Sequence, residues 1–265
     1  MRGLVTSLRI FVSGARLSYV ALFAWAQPAS YVATKVLAPL LYILFFIYLG
    51  TSATGRDTVE FYIVGNALQL AAFSSIFGVT MTVGGERNAG TLIYLVGSPA
   101  NRLAIFLGRA FFFVLDGMLG VAMGLIVGVL LGLDLTTANL PGLALTILIT
   151  SASTCGLGLL LGSISLTALN VMLINNTVFF LLLIFSGANL PLERMPAWIR
   201  AVSTGLPLTR GIQSARLLMD GAPLVEVWPL LGGELAIGLV YALAGFVFFR
   251  WFEFQARRRG TLEAF

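Results

Sequence analysis

Two carboxylates stand inside apolar stretches of this chain: Asp116 in "FFFVLDGMLG" and Glu234 in "PLLGGELAIG". A charge in such a setting costs several kcal/mol unless it is paired, hydrated or protonated. Each is therefore either a structural partner for neighbouring helices or a step on a polar path. Acid–base catalysis in a membrane would need clustered carboxylates or histidines. The chain has no His, and these two carboxylates stand alone, so no catalytic residue is assigned. Cys155 is the only cysteine and lies in an apolar run. It excludes an internal disulfide and a Cys–Cys metal site, and reads as a small core residue. No metal site is expected. A phosphate-cradling P-loop needs G-x-x-x-x-G-K-[ST]. The sole lysine, Lys35 in "VATKVLAP", has no glycines before it, so the chain binds no nucleotide cofactor of its own.

A second set of residues suits binding rather than catalysis. Tyr62, Asn66, Gln69 and Phe73 recur at roughly i, i+4, i+7, i+11, which puts them on one helical face. Asn175, Asn176, Phe179 and Phe180 cluster in a later apolar stretch. Amides offer an amphipathic ligand hydrogen bonds, and phenyl rings offer contact area. Hydrogen bonding between helices accounts for the amides equally well.

The elements that position these residues follow from composition. Only 10% of residues are charged and the mean hydropathy is +0.97. A soluble domain carries about 25% charged residues, so the chain is a polytopic membrane protein. A bilayer core of about 30 Å needs about 20 apolar residues per helix. Six stretches qualify: 30–50, 58–83, 103–132, 140–162, 169–189 and 227–251. Lipid cannot satisfy open backbone groups, and barrel strands would be shorter and alternating, so all six read as helices. Glycines recur inside them, as in "GMLGVAMGLIVGVLLG" and "CGLGLLLGS", and allow close helix packing.

Residues 1–27 differ. Leu4, Leu8, Phe11, Val12 and Ala15 share one helical face, with Arg2, Thr6, Arg9, Ser13 and Arg16 opposite. That separation predicts an amphipathic helix lying in the interface. Arg9 and Arg16 would interrupt the apolar region of a signal peptide, although "AWA" at 24–26 resembles a cleavage site. With six spans both termini share a side. Placing them in the cytoplasm puts 11 basic residues inside, Lys35 among them, and 5 outside. The positive-inside rule favours that arrangement. The basic residues are scattered at segment ends, so the net charge of +5 does not point to nucleic acid.

The cytoplasmic hairpin "GGERNAGTLIYLVGSPANR" (84–102) is longer than turning requires. Glu86 and Arg87 end one span, Asn88-Ala89-Gly90 is turn chemistry, and Thr91 is a plausible N-cap. "TLIYLVG" makes about two helical turns before Ser98-Pro99 stops it. The segment is either a surface helix completing the hairpin or a protruding helix that docks in a groove of another protein. A later segment, 190–226, is too polar to span. Pro191, Pro196 and Pro207 break it into short pieces, with Trp198, Ile199, Val202 and Leu206 on about one face. Trp198 and Trp228 would anchor at the outer interface.

Residues 84–109, "GGERNAGTLIYLVGSPANRLAIFLGR", resemble the signature of ABC-2 type transporter permeases. "FSGANLPLERMPAWIRAVSTGLPLTRGIQSARLLMDG" (185–221) resembles that family's segment after the fifth span. The resemblance covers nearly the whole chain. It implies an all-α integral membrane fold: an interfacial helix at 1–27, then a six-helix transmembrane domain at 28–265. It also implies a cytoplasmic coupling helix at about 86–99 and a re-entrant segment at about 190–226 that dips into the outer leaflet. Glu86, Arg87, Gly90, Thr91, Ser98 and Pro99 would take up motion from the ATPase, though a solvated helix end explains Glu86 and Arg87 nearly as well. The short loop "SISLTALN" (163–170) is a second possible contact. The two spans carrying Tyr62 and Asn175 would line the substrate pathway. The implied partners are two cytoplasmic ABC ATPase subunits binding ATP and Mg, a second permease chain (like or unlike), and membrane lipids. The implied role is outward movement of an amphipathic small molecule, drug, secondary metabolite or lipid-linked compound across the cell membrane. Polysaccharide or lipo-oligosaccharide export uses the same architecture. An ATP-independent carrier should show inverted repeats and broken helices, and no clear repeat is present.

Overall fold

A computed structural model describes residues 9, 12–14, 33–55, 58–88, 102–166 and 170–259. Among these residues all regular structure is helical. A π turn at Ala33–Leu37 leads into α1, Ala38–Thr54. Then come α2, Val59–Asn88; α3, Arg102–Leu130; α4, Leu140–Ser165; and α5, Val171–Phe185. A single 3₁₀ turn at Leu192–Arg194 precedes α6, Ala197–Thr204, and α7, Thr209–Met219. The long α8, Leu224–Arg259, follows.

Local chemistry sets several boundaries. Pro39 has no N–H to give the carbonyl four residues back, which lies within the π turn ending two residues before it. Asn139 caps α4 by accepting from the Gly142 N–H at 3.1 Å, with a proline in the first turn. Asn170 caps α5 in the same way through Leu173, at 3.0 Å. Pro191 and Pro196 stand at the N-caps of the 3₁₀ turn and of α6. The pieces expected between 190 and 226 therefore form where the prolines put them.

Among the described residues five helices are long and apolar enough to cross a bilayer: Ala33–Ser52, Val59–Gly84, Ile105–Leu130, Leu140–Ser165 and Leu224–Gln255. The stretch expected to span at 169–189 forms a shorter helix, Val171–Phe185. Its 15 residues cover about 22 Å, less than a bilayer core. Asn170 fixes its start, and the chain turns away beyond Phe185, where Gly187 takes φ +82°.

α4 sits at the centre, packed against α2, α3, α7 and α8. Small residues make this possible. A Cβ on Gly238 of α8 would lie 2.5 Å from the Ser153 Cα of α4, so these two backbones touch. On the other side Thr80 Oγ1 donates to the Gly158 carbonyl at 3.2 Å, tying α2 to α4. Along α3, Gly117, Gly120 and Gly124 face Ala71, Leu70 and Ala67 of α2 in turn. The fully buried Ile63, Leu68, Ile76, Leu182, Leu208 and Ile212 form one core between α2, α5 and α7.

Of the expected interfacial helix at 1–27, only Arg9 and residues 12–14 are described, and they are helical. Gly14 packs on α3, its Cβ position 3.3 Å from the Ile105 carbonyl oxygen. Glu86 and Arg87 fall in the last turn of α2. Gly90, Thr91, Ser98 and Pro99 lie outside the described residues.

Candidate functional site

Both intramembrane carboxylates have partners. Lys35 Nζ lies 2.6 and 2.5 Å from the two oxygens of Asp116. The side chains are 23% and 8% exposed, so the pair is largely withdrawn from solvent. It pins the π turn ahead of α1 to the middle of α3. Lys35, expected at the cytoplasmic edge, thus stands level with the third span's centre.

Glu234 is wholly buried in α8. Its carboxylate accepts the Leu208 N–H at 2.5 Å and the Gly211 N–H at 3.3 Å. Those are orphan donors at the start of α7, where the helix dipole also favours negative charge. Leu208 is the only described non-glycine residue with positive φ, +87°. Such a backbone persists only where the surroundings fix it, here by complete burial and the Glu234 bond. Ser153 Oγ of α4 donates to the Glu234 carbonyl at 3.0 Å.

Arg216, absent from the expected site residues, secures the other end of α7. Its guanidinium donates to the carbonyls of Gly187, Ala188 and Phe61 at 3.0, 3.1 and 3.1 Å. Its Cζ stands 3.5 Å from the Phe61 ring centroid. One side chain thus ties α7 to the start of α2 and to the turn after α5. The signal available in the sequence was an arginine one turn after Ile212 and three residues before Met219, on the apolar face of its helix.

The expected binding face on α2 divides along its length. Tyr62, Asn66 and Gln69 are buried within the chain. Tyr62 packs against Gly50 of α1. Asn66 Nδ2 donates to the Tyr62 carbonyl at 2.9 Å and to Asn189 Oδ1 at 2.8 Å. Phe73, two turns from Asn66, is 46% exposed. These four residues share a face, but what covers it changes: α1, α7 and the turn after α5 seal one end and leave the middle open.

At that opening α2 and α5 meet through aromatic rings. Phe73 stacks on Phe77 at 4.5 Å and meets Phe179 edge-on at 5.4 Å. Phe179 contacts Phe180, which is 58% exposed. Asn176 is exposed on the same helix, whereas Asn175 is fully buried. Both amide atoms of Asn175, and both of Gln69, have no hydrogen-bond partner among the described residues. A buried polar group left so is costly, and water or a bound ligand would satisfy it. The structure thus brings Phe73, Phe179 and Phe180 together as an apolar ridge with Asn176 beside them. Tyr62, Asn66, Gln69 and Asn175 lie behind it.

Among the described residues no group of three His, Cys, Asp or Glu side chains could hold a metal ion. Cys155 is buried and its Sγ lies 3.6 Å from the Ala110 carbonyl oxygen.

Two comparisons bear on these features. The family model described as "ABC-2 type transporter" matches residues 17–219, which take in α1 to α7. A curated protein of Cyanophora paradoxa named "Putative transport permease ycf38" is 26% identical over 234 residues. That match covers 81% of this chain and 80% of the relative.

Proposed function

This chain belongs to the ABC-2 type transporter family, and we propose that it is the membrane permease of an ATP-driven exporter. The observation that carries the reading is the family match over 17–219, laid on a bundle with five helices able to span. The energy source would be a separate ABC ATPase, present in two copies with its ATP and Mg. The absence of any G-x-x-x-x-G-K-[ST] sequence in this chain agrees with that division of labour.

In this reading α5 is the sixth membrane-crossing element. Its shortness is offset at the outer end by α6 and α7, which form the re-entrant segment. Support comes from α7, whose Gly211, Ile212, Ala215 and Leu218 are buried although the helix is too short to cross. Exposed Trp198 and Trp228, 64% and 59%, suit the outer interface. The termini and the 84–102 hairpin are then cytoplasmic, and the membrane is the cell membrane.

The cargo would be an amphipathic molecule, and a second permease chain would complete its path. The ridge of Phe73, Phe179 and Phe180, with Asn176 beside it, supports this: it offers aromatic area and one amide on an open face. Residues 86–99 would form the coupling helix. ATP-driven closure of the ATPase would push on that helix and move α2 and α3, which it joins.

The test is co-expression with a candidate ATPase. The complex should co-purify and pump a fluorescent amphipathic dye into inside-out vesicles only with ATP. Gly90→Trp or Thr91→Trp should abolish pumping while the chain still inserts. Pumping by this chain alone, driven by an ion gradient, would overturn the proposal.

A further inference from the structure

A cavity of about 210 Å³ opens between α2, α3, α4 and α8, lined by none of the residues of the aromatic ridge. Its walls include Val83, Phe106, Leu159, Phe246 and Phe249. The Phe106 and Phe249 rings meet edge to face at 4.7 Å. Ser163 is the one polar side chain among the lining residues. Its hydroxyl contacts the carbonyls of Leu159 and Gly245 at 2.9 and 2.8 Å, so it has little left to offer a ligand. Whatever fills this space must be hydrocarbon.

Location and charge narrow the occupant. The lining residues Leu107, Leu239 and Leu243 are 43%, 55% and 64% exposed, and each lies in a candidate span. The mouth therefore faces acyl chains. Arg250 follows Phe249 directly and lies one and two turns beyond Phe246 and Leu243 on the same face of α8. Its side chain is 59% exposed, and its contact with Glu253 is long, at 3.5 Å. Glu253 itself is buried, 7% exposed, and reaches the guanidinium only at that long distance, so the exposed donors of Arg250 can also take a closer acceptor. Arg258, two turns further along that face, is also exposed.

We propose that this cavity binds one acyl chain of an anionic phospholipid, with the phosphate held at Arg250. The lipid comes from the leaflet on the side of the chain's termini. Guanidinium and phosphate match in charge and in bidentate hydrogen bonding. The cavity takes the chain, and Arg250 chooses the headgroup.

The experiment places the full chain in nanodiscs containing phosphatidylglycerol or phosphatidylcholine whose acyl chain carries a photoreactive diazirine. After irradiation, labelled peptides are mapped by mass spectrometry. Labelling is expected to concentrate on 239–249 of α8 and to favour phosphatidylglycerol. Arg250→Gln should lower that preference about fivefold, the effect of one basic residue near an anionic surface. Ala242→Trp fills the cavity from α8 and should abolish the labelling. Leu107→Trp narrows the mouth from α3 and should do the same, which guards against one variant failing to fold. Val240→Trp, on the 65% exposed side of α8, should leave it intact. Labelling spread evenly over the lipid-facing helices would overturn the proposal. So would labelling unchanged in both cavity variants, or equal labelling by the two lipids.

Discussion

Lys35 Nζ sits 2.5 Å from Asp116 Oδ2, joining residues 81 positions apart in the chain. The pair ties α1 to α3 inside the bundle. Removing one partner of a buried pair costs about 3–5 kcal/mol, because the other charge is stranded. Asp116→Leu alone and Lys35→Leu alone should each reduce the yield of monodisperse protein and its melting temperature in detergent. The double variant should recover much of that loss. A double variant no better than the worse single one would show that the two residues act separately. The notion that Asp116 carries cargo or protons predicts the reverse pattern: normal yield with lost transport.

Glu234 caps α7 from another helix. Glu234→Leu strands the N–H groups of Leu208 and Gly211 and removes the constraint on the strained Leu208 backbone. A buried donor left without an acceptor costs about 1–3 kcal/mol. Amide exchange across 208–215 should therefore quicken at least tenfold in Glu234→Leu, while exchange in α3 stays unchanged. Glu234→Gln keeps an acceptor oxygen and should fall between the two. Unaltered protection of 208–215 in Glu234→Leu would remove the capping role.

Arg216 presents a related test with a different geometry. It reaches three carbonyls and one ring at once, which an ammonium cannot do. Arg216→Lys should thus lower thermal stability nearly as much as Arg216→Met. Gly65 lies against the same site: a Cβ there would sit 2.9 Å from an Arg216 nitrogen and from the Ala188 Cα. Gly65→Val should reproduce the defect. Heating followed by size-exclusion chromatography reads both. Wild-type stability in Arg216→Lys would mean that charge alone matters.

Spans were legible because hydrophobic length is a local property. Helix starts at Asn139 and Asn170, and breaks at Pro191 and Pro196, were likewise written in single residues. Partnership was not legible. Lys35 begins an apolar run and so looked like an edge charge. Only folding brings it to Asp116. The length of α5 was overestimated because Ser186-Gly187 is apolar enough to extend a hydropathy window, yet Gly187 turns the chain. The face of Tyr62, Asn66, Gln69 and Phe73 was correctly periodic, but periodicity does not say what covers each level. Arg216 was passed over because an arginine in an amphipathic loop segment ordinarily faces water.

Two glycines six residues apart in α8 should respond oppositely to the same methyl group. At Gly238 a Cβ would lie 2.5 Å from the Ser153 Cα, a backbone atom that cannot swing aside. Gly238→Ala must push α4 and α8 apart, and overpacking of this kind costs about 1–3 kcal/mol or more. It would also lengthen the 3.0 Å bond from Ser153 Oγ to the Glu234 carbonyl, loosening the cap on α7. At Gly232 a Cβ meets nothing within 4 Å. There Gly232→Ala should gain about 0.5–1 kcal/mol, since alanine loses less backbone freedom than glycine in a helix. Melting temperatures of the two variants should therefore bracket the parent, Gly238→Ala below and Gly232→Ala above. If both variants shifted the same way, close α4–α8 contact at Gly238 would not be what sets the packing of this bundle.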